Sequence, residues 1–263
     1  MKENIKMSFR QRLLAGQILI GTMLKTPACQ PTEIIADVGF DFVVVDQEHS
    51  PFDRSTTDLI LLAGRAAEVP VLVRVPGIEM TLAACDGGAH GIIVPHVVNS
   101  SQARNAVASC RYSGGRRGYA TSTRAGRYAS VPMARHVSES DAQTTVILQI
   151  EDPAGVHETD SIAAIEGVDA VFIGRNDLAC AFGDDSVDSP AVRDAVATIA
   201  DGARAAKKAL GVFVSNVSEM EWLKQMGATL FVFSSDQGFL RMGAARCLAE
   251  ARSTASAGRQ RRF

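Results

Sequence analysis

The chain has 263 residues, 46% apolar and 21% charged, with 27 basic side chains against 29 acidic ones. By area scaling, a chain of this size buries nearly three quarters of the surface it exposes when unfolded, enough for one large core. A net charge of −2 gives no field to hold nucleic acid or an anionic membrane surface, and no apolar run approaches the roughly 18 residues of a membrane span.

Short, β-branched apolar runs recur along the chain. They are QILIGTML from Gln17, DFVVVD from Asp41, PVLVRV from Pro70, GIIVPHVV from Gly91, TVILQIE from Thr145, DAVFIG from Asp169, GVFVSN from Gly211 and TLFVFSS from Thr229. Runs apolar on both faces suit a parallel sheet buried between helices. Between them lie Ala-rich stretches with helical spacing, such as STTDLILLAGRAA from Ser55 and AVRDAVATIADGARAAKKA from Ala191. Gly39, Gly88, Gly167 and Gly227 each stand where a helix would end and a strand begin, the place for a left-handed residue. Eight strands alternating with helices predict a (β/α)8 TIM barrel, a single domain over 1–263 with a C-terminal helix available to pack on a neighbouring subunit. The rival, a doubly wound open sheet, lacks a G-x-G-x-x-G after any strand.

Two stretches break the rhythm. About 35 residues separate Cys110 from the run at Val146, including YSGGRRGYATSTRAGRYAS, and loops this long are usually functional or disordered. The polar, basic end, 251–263, is expected to be a mobile tail. The five cysteines show neither CxxC nor Cys/His finger spacing, which argues against a zinc module or a disulfide framework and for mostly buried thiols. The N-terminal stretch has no apolar run followed by a small-residue cleavage site, so the expected location is cytoplasmic.

In such a barrel the chemistry sits where the strands end. The second run ends in Asp46-Gln47-Glu48-His49, the third carries Arg74, and the fourth offers His96. The fifth ends in Gln149 and Glu151-Asp152, the sixth runs into Arg175-Asn176-Asp177, and the seventh ends in Ser215-Asn216. Glu151 and Asp177, on neighbouring strand ends, form a hard oxygen site suited to Mg2+ or Mn2+. Arg74 can aim its fork at a carboxylate or a developing oxyanion, and His49, with Asp46 to orient it, is the candidate general base. Each alone has a plainer role, as a helix cap or a satisfied polar group, so the case rests on their convergence.

The segments GFDFVVVDQEHSP, VPVLVRVP, DGGAHGIIVPHV, ILQIED, EGVDAVFIGRNDL and GATLFV together resemble the metal-dependent (class II) pyruvate aldolases of the HpcH/HpaI family. That family includes 4-hydroxy-2-oxoheptanedioate and 2-dehydro-3-deoxyglucarate aldolases. The resemblance implies a divalent-metal-dependent aldolase that cleaves a 4-hydroxy-2-oxoacid to pyruvate and an aldehyde through the pyruvate enolate. It implies metal ligands at Glu151 and Asp177 for Mg2+, Mn2+ or Co2+. Arg74 then binds pyruvate, His49 is the catalytic histidine supported by Asp46, and Gln149 and Asn176 border the substrate. It also implies a hexamer in which Asp86 reaches a neighbouring subunit's site.

The chain departs from the family pattern at Gly174-Arg175-Asn176-Asp177-Leu178, where members usually carry proline in place of Arg175. Arg175 has two readings, a reader of a distal carboxylate or a solvent-facing charge. Gly114-Gly115 replaces prolines in the long loop, which is open to anion-binding, lid or structural readings. Three rival functions remain: a Schiff-base aldolase using Lys25, otherwise read as a rim charge; a malyl- or citramalyl-CoA-type lyase; and a barrel that binds an oxoacid without turnover. If the site holds excess positive charge, removing Arg74 should stabilise the ligand-free protein.

Overall fold

The computed structural model describes residues 7–260, and its eight parallel strands close into a barrel in chain order. The strands are β1 (Leu19–Leu24), β2 (Phe42–Asp46), β3 (Val71–Arg74), β4 (Gly91–Val94), β5 (Thr145–Ile150), β6 (Ala170–Ile173), β7 (Ala209–Val214) and β8 (Ala228–Ser235). The helices are α1 (Phe9–Leu14), α2 (Gln30–Val38), α3 (Arg54–Ala66), α4 (Thr81–Gly87), α5 (Ser100–Cys110) and α6 (Met133–Gln143). They continue as α7 (Pro153–His157), α8 (Thr159–Ala163), α9 (Arg175–Phe182), α10 (Pro190–Ala205), α11 (Met220–Gln225) and α12 (Asp236–Gln260). The expected (β/α)8 barrel is the observed one.

Two apolar layers explain why the runs are hydrophobic on both faces. Val43, Val45, Val71, Val73, Leu148 and Ile150 pack outward against helices such as α3 and α10. Leu19, Met23, Phe42, Val44, Leu72, Ile147 and Phe172 fill the barrel interior. Phe9 of α1 joins that interior, its ring 5.2 Å from Phe42, so α1 closes the end away from the strand termini. The four glycines expected at helix ends all adopt positive φ: Gly39 at 102°, Gly88 at 93°, Gly167 at 88° and Gly227 at 104°.

The irregular stretches are more ordered than their composition suggests. About a third of the long insertion is helical, because α6 occupies 133–143. The remaining loop is tied down: Tyr112 and Ser113 backbone N–H groups donate to Asp141, and Arg111 donates to the Thr144 carbonyl. The buried Arg117 stacks 4.3 Å from the Tyr112 ring centroid and donates to Asp86. The segment after 251, expected as a tail, continues α12 as far as Gln260, and 261–263 lie outside the described residues. Most of α12 is exposed, with Leu240, Met242 and Leu248 uncovered. All five cysteines are free, but only Cys85 and Cys110 are buried, fewer than expected. No described helix is long and apolar enough to cross a membrane.

Candidate active site

Strand alternation builds the site. Leu19 and Met23 of β1, Phe42 and Val44 of β2, Leu72 of β3, Ile147 of β5 and Phe172 of β6 face the interior. Two residues further along each strand, the same phase reaches Lys25, Asp46, Arg74, Gln149 and Gly174; two more bring Glu48 and Glu151. The polar mouth is the interior layer continued past its last apolar side chain.

Asp46 and Arg74 are register partners across β2 and β3. The Arg74 Nε and Nη2 donate to Asp46 Oδ1 at 3.0 and 2.8 Å, and Lys25 Nζ lies 3.0 Å from Asp46 Oδ2. Burial pushes the Asp46 carboxyl up, but charge and hydrogen bonds from Arg74, joined by Lys25, outweigh it and hold it below the usual range. Arg74 Nη1 also lies 3.2 Å from Glu48 Oε2. Two acids therefore meet one buried arginine, and the site does not hold the excess positive charge under which removing Arg74 would stabilise it. Arg74→Ala removes two hydrogen bonds from the buried Asp46 and leaves it Lys25 alone, and the expected outcome is a loss of about 1.5–3 kcal/mol of stability, read by denaturant unfolding.

His49 is exposed beside this pair, with Nε2 3.7 Å from Glu48 Oε2. Asp46 does not orient its ring. It accepts from the His49 backbone N–H at 3.3 Å, because its other contacts are taken by Arg74 and Lys25. Asp46 thus supports His49 through the loop, and Glu48 is the carboxylate facing the imidazole.

Glu151 is 2% exposed. Its Oε1 accepts from the His96 backbone N–H at 2.9 Å, and its Oε2 accepts from Gln149 Nε2. Burial pushes its pKa up to about 7, the Asp177 charge adds to this, and hydrogen bonds from Gln149 and His96 only partly oppose it. Single donor atoms of Glu48, His96 and Glu151 lie within 4.8 Å of one another, a second set that could share a cation with Glu151. The Glu48–His96 contact is 3.4 Å, and His96 Nδ1 lies 3.0 Å from Asp152. Burial pulls the His96 imidazole down, but Asp152, Glu151 and Glu48 together raise it above its ordinary value. The sequence reading gave Glu48 and His96 no role. Glu48 was findable, since it shares the interior phase of Asp46, whereas His96 depends on a backbone φ of 54°.

Gly174 caps the approach to Glu151. A Cβ there would lie 2.5 Å from Glu151 Cβ and 2.6 Å from Oε2, so Gly174 permits α9 to start against the carboxylate and places Asp177 in its first turn. Gly174→Ala is expected to cost about 1–3 kcal/mol as overpacking, measured by thermal or denaturant unfolding.

Lys25, His49, Arg74, Gln149, Asn176 and Asp177 line one cavity of about 200 Å3 with Phe172, Gly174, Arg175 and Ser215. A larger cleft of about 800 Å3 lies between α3, α4 and the 120–128 segment, and it contains Asp86 but none of these groups. Asp86 is therefore not brought to its own chain's cavity; it pairs with Arg117 at 3.2 Å. Arg175 matches neither sequence reading as it stands. Its 4%-exposed side chain is held by Glu219 and the Phe213 carbonyl, with Asp188 3.7 Å away.

The sequence pattern of the HpcH/HpaI aldolase/citrate lyase family matches residues 23–241, which take in the end of β1, strands β2 to β8 and every residue of this cavity. The chain belongs to that family. A 5-keto-4-deoxy-D-glucarate aldolase of Enterobacter sp. (strain 638) is 35% identical over 237 residues, 89% of this chain and 92% of its own length. An HpcH/HpaI aldolase/citrate lyase family protein from Burkholderia cenocepacia J2315 superposes with a TM-score of 0.87 at 30% identity, covering 92% of this chain and 98% of that one. The citrate synthase SbnG gives a TM-score of 0.87 at 27% identity, over 95% of this chain and 100% of its own. This HpcH/HpaI family member is a carbon–carbon lyase.

Proposed function

We propose that the enzyme cleaves a 4-hydroxy-2-oxoacid to pyruvate and an aldehyde, and runs the reverse addition, with Mg2+, Mn2+ or Co2+ held by Glu151 and Asp177. The observation that carries this is Glu151: a carboxylate buried at a barrel mouth and pushed up to about 7, with the Asp177 charge adding to the effect of burial. A buried Glu151 whose charge is unfavourable without a cation, with Gly174 shaped to admit it and Asp177 in the next turn, fits a hard divalent ion. When bound, the ion supplies Lewis-acid polarisation of the 2-oxo group.

The chain's own groups divide the remaining work. Arg74, fixed by Asp46, presents its guanidinium to the oxyanion of pyruvate enolate, and the buried Gln149 borders the same space. In the cleavage direction His49 takes the proton of the C4 hydroxyl, and the C3–C4 bond breaks. Its electron pair makes the enolate, whose carbon then takes up a proton to become the methyl of pyruvate. Glu48 lies 3.7 Å from the imidazole. For the substrate's tail, the curated relatives are informative. Counted from its keto end, 5-keto-4-deoxy-glucarate is a 4-hydroxy-2-oxo diacid whose C3–C4 cleavage gives pyruvate and an aldehyde bearing a carboxylate. A substrate of that class is our reading here. Asp86 enters catalysis only through an assembly, which the family resemblance makes a hexamer with α12 packed on a neighbour; sedimentation velocity tests that state.

Two measurements test the reading. Arg74→Lys keeps the charge but loses the two-bond fork to Asp46, and cleavage is expected to fall at least about 10²-fold, near the effect of losing one oxyanion donor. The second concerns pH. Glu151 binds its proton more tightly folded, at about 7, than at its ordinary 4.5. In metal-free protein its contribution to stability is therefore full below about 4.5 and is lost as pH rises through about 7. A divalent ion must displace that proton, so the rise in Tm on adding Mn2+ should be small at pH 5.5 and grow through pH 7.5. A pH-independent rise in Tm would place the ion away from Glu151.

A further inference from the structure

Three arginine or lysine side chains line the catalytic cavity, and they differ in what they already hold. Arg74 gives two hydrogen bonds to Asp46 and faces Glu48. Arg175, the sequence's candidate for a distal carboxylate, is buried against Glu219 and the Phe213 carbonyl. Lys25 is different. Its side chain keeps 30% of its exposure, and among the described residues its ion-pair partner is Asp46, whose other oxygen is committed to Arg74. Arg74 is met by both Asp46 and Glu48, whereas Lys25 meets Asp46 alone among the described residues, and an ammonium with three donors keeps donors to offer a ligand.

The backbone shows that this placement is built. Asp236, at the start of α12, accepts from the Lys25 N–H at 2.9 Å and the Thr26 N–H at 3.0 Å, while Gln237 Nε2 donates to the Lys25 carbonyl at 3.2 Å. These bonds fix the residue just past β1, where the interior phase of Leu19 and Met23 points it into the mouth. We propose that Lys25 is a specificity-determining residue whose ammonium binds the distal carboxylate of a 4-hydroxy-2-oxo diacid. The assignment rests on the retro-aldol reading of this site. It also replaces the rim-charge role, since a rim charge has no reason to be pinned at two backbone positions and aimed at a buried acid.

The test compares Lys25→Gln and Lys25→Arg with the parent enzyme, with added Mn2+, on two substrates. One is the six-carbon 4-hydroxy-2-oxo diacid, the other 4-hydroxy-2-oxopentanoate, whose tail is a methyl group. For Lys25→Gln the ratio of kcat/KM, diacid over methyl-tailed substrate, should fall about 10- to 100-fold, mainly through KM for the diacid. Lys25→Arg should keep the ratio within about 3-fold, because a cation remains. An unchanged ratio in Lys25→Gln overturns the proposal. So does an equal loss on both substrates and in pyruvate methyl-proton exchange, which would make Lys25 a support for Asp46 and Arg74. If the parent cleaves neither substrate, the retro-aldol reading falls and the assignment with it.

Discussion

Glu151→Gln is expected to lower metal-dependent cleavage by at least about 10³-fold while leaving the metal-free protein folded. The size follows from losing a hard anionic donor, since Lewis-acid stabilisation contributes several kcal/mol and each 1.4 kcal/mol is a factor of ten. The fold should survive because the carboxylate is a burden on it: Glu151 is buried and burial pushes its pKa up to about 7. The amide oxygen can still accept from the His96 N–H, and Gln149, whose buried Oε1 has no hydrogen-bond partner among the described residues, can turn to accept from the new amide. Titration of Mn2+ should show weakened binding alongside the lost rate, with Tm at pH 7.5 unchanged or higher. Full activity of this variant in chelator-treated buffer would end the metal-dependent assignment.

His49→Ala should lower kcat by roughly 10²–10⁴-fold, the range for a positioned acid–base group, with KM for the oxoacid changed far less. The structure separates this from a folding effect. The His49 ring is exposed on the cavity wall, 3.7 Å from Glu48, whereas the loop is held by the backbone bond to Asp46 that alanine retains. Tm should therefore move little. A variant that loses thermal stability and pyruvate affinity together would make His49 a loop-ordering residue.

The barrel was legible because parallel strands covered on both sides leave a run of β-branched residues, and because a left-handed helix end demands glycine at Gly39, Gly88, Gly167 and Gly227. Much of the mouth was legible too: strand alternation carries Asp46, Arg74 and Gln149 inward once Phe42, Leu72 and Ile147 are interior. What the sequence could not convey is how long side chains choose partners across loops. Arg175 could have faced substrate or solvent, but Glu219 lies 44 positions away in sequence and only the closed barrel sets it beside the guanidinium. The roles of Lys25 and Asp46 shifted for the same reason, since each depends on the other's position. The helix over 251–260 was not legible because polar, basic composition does not distinguish an exposed helix from a loose tail.

Exchange of the pyruvate methyl protons in D2O, followed by proton NMR, tests the proposed chemistry without knowledge of the aldehyde partner. With Mn2+ or Mg2+ at neutral pH, the parent enzyme should exchange them. Chelator should stop the exchange, re-addition of the ion should restore it, and Glu151→Gln should remain silent under both conditions. Exchange that persists at the same rate in chelator, or none with any of Mg2+, Mn2+ and Co2+, would contradict enolate formation at the Glu151–Arg74 site.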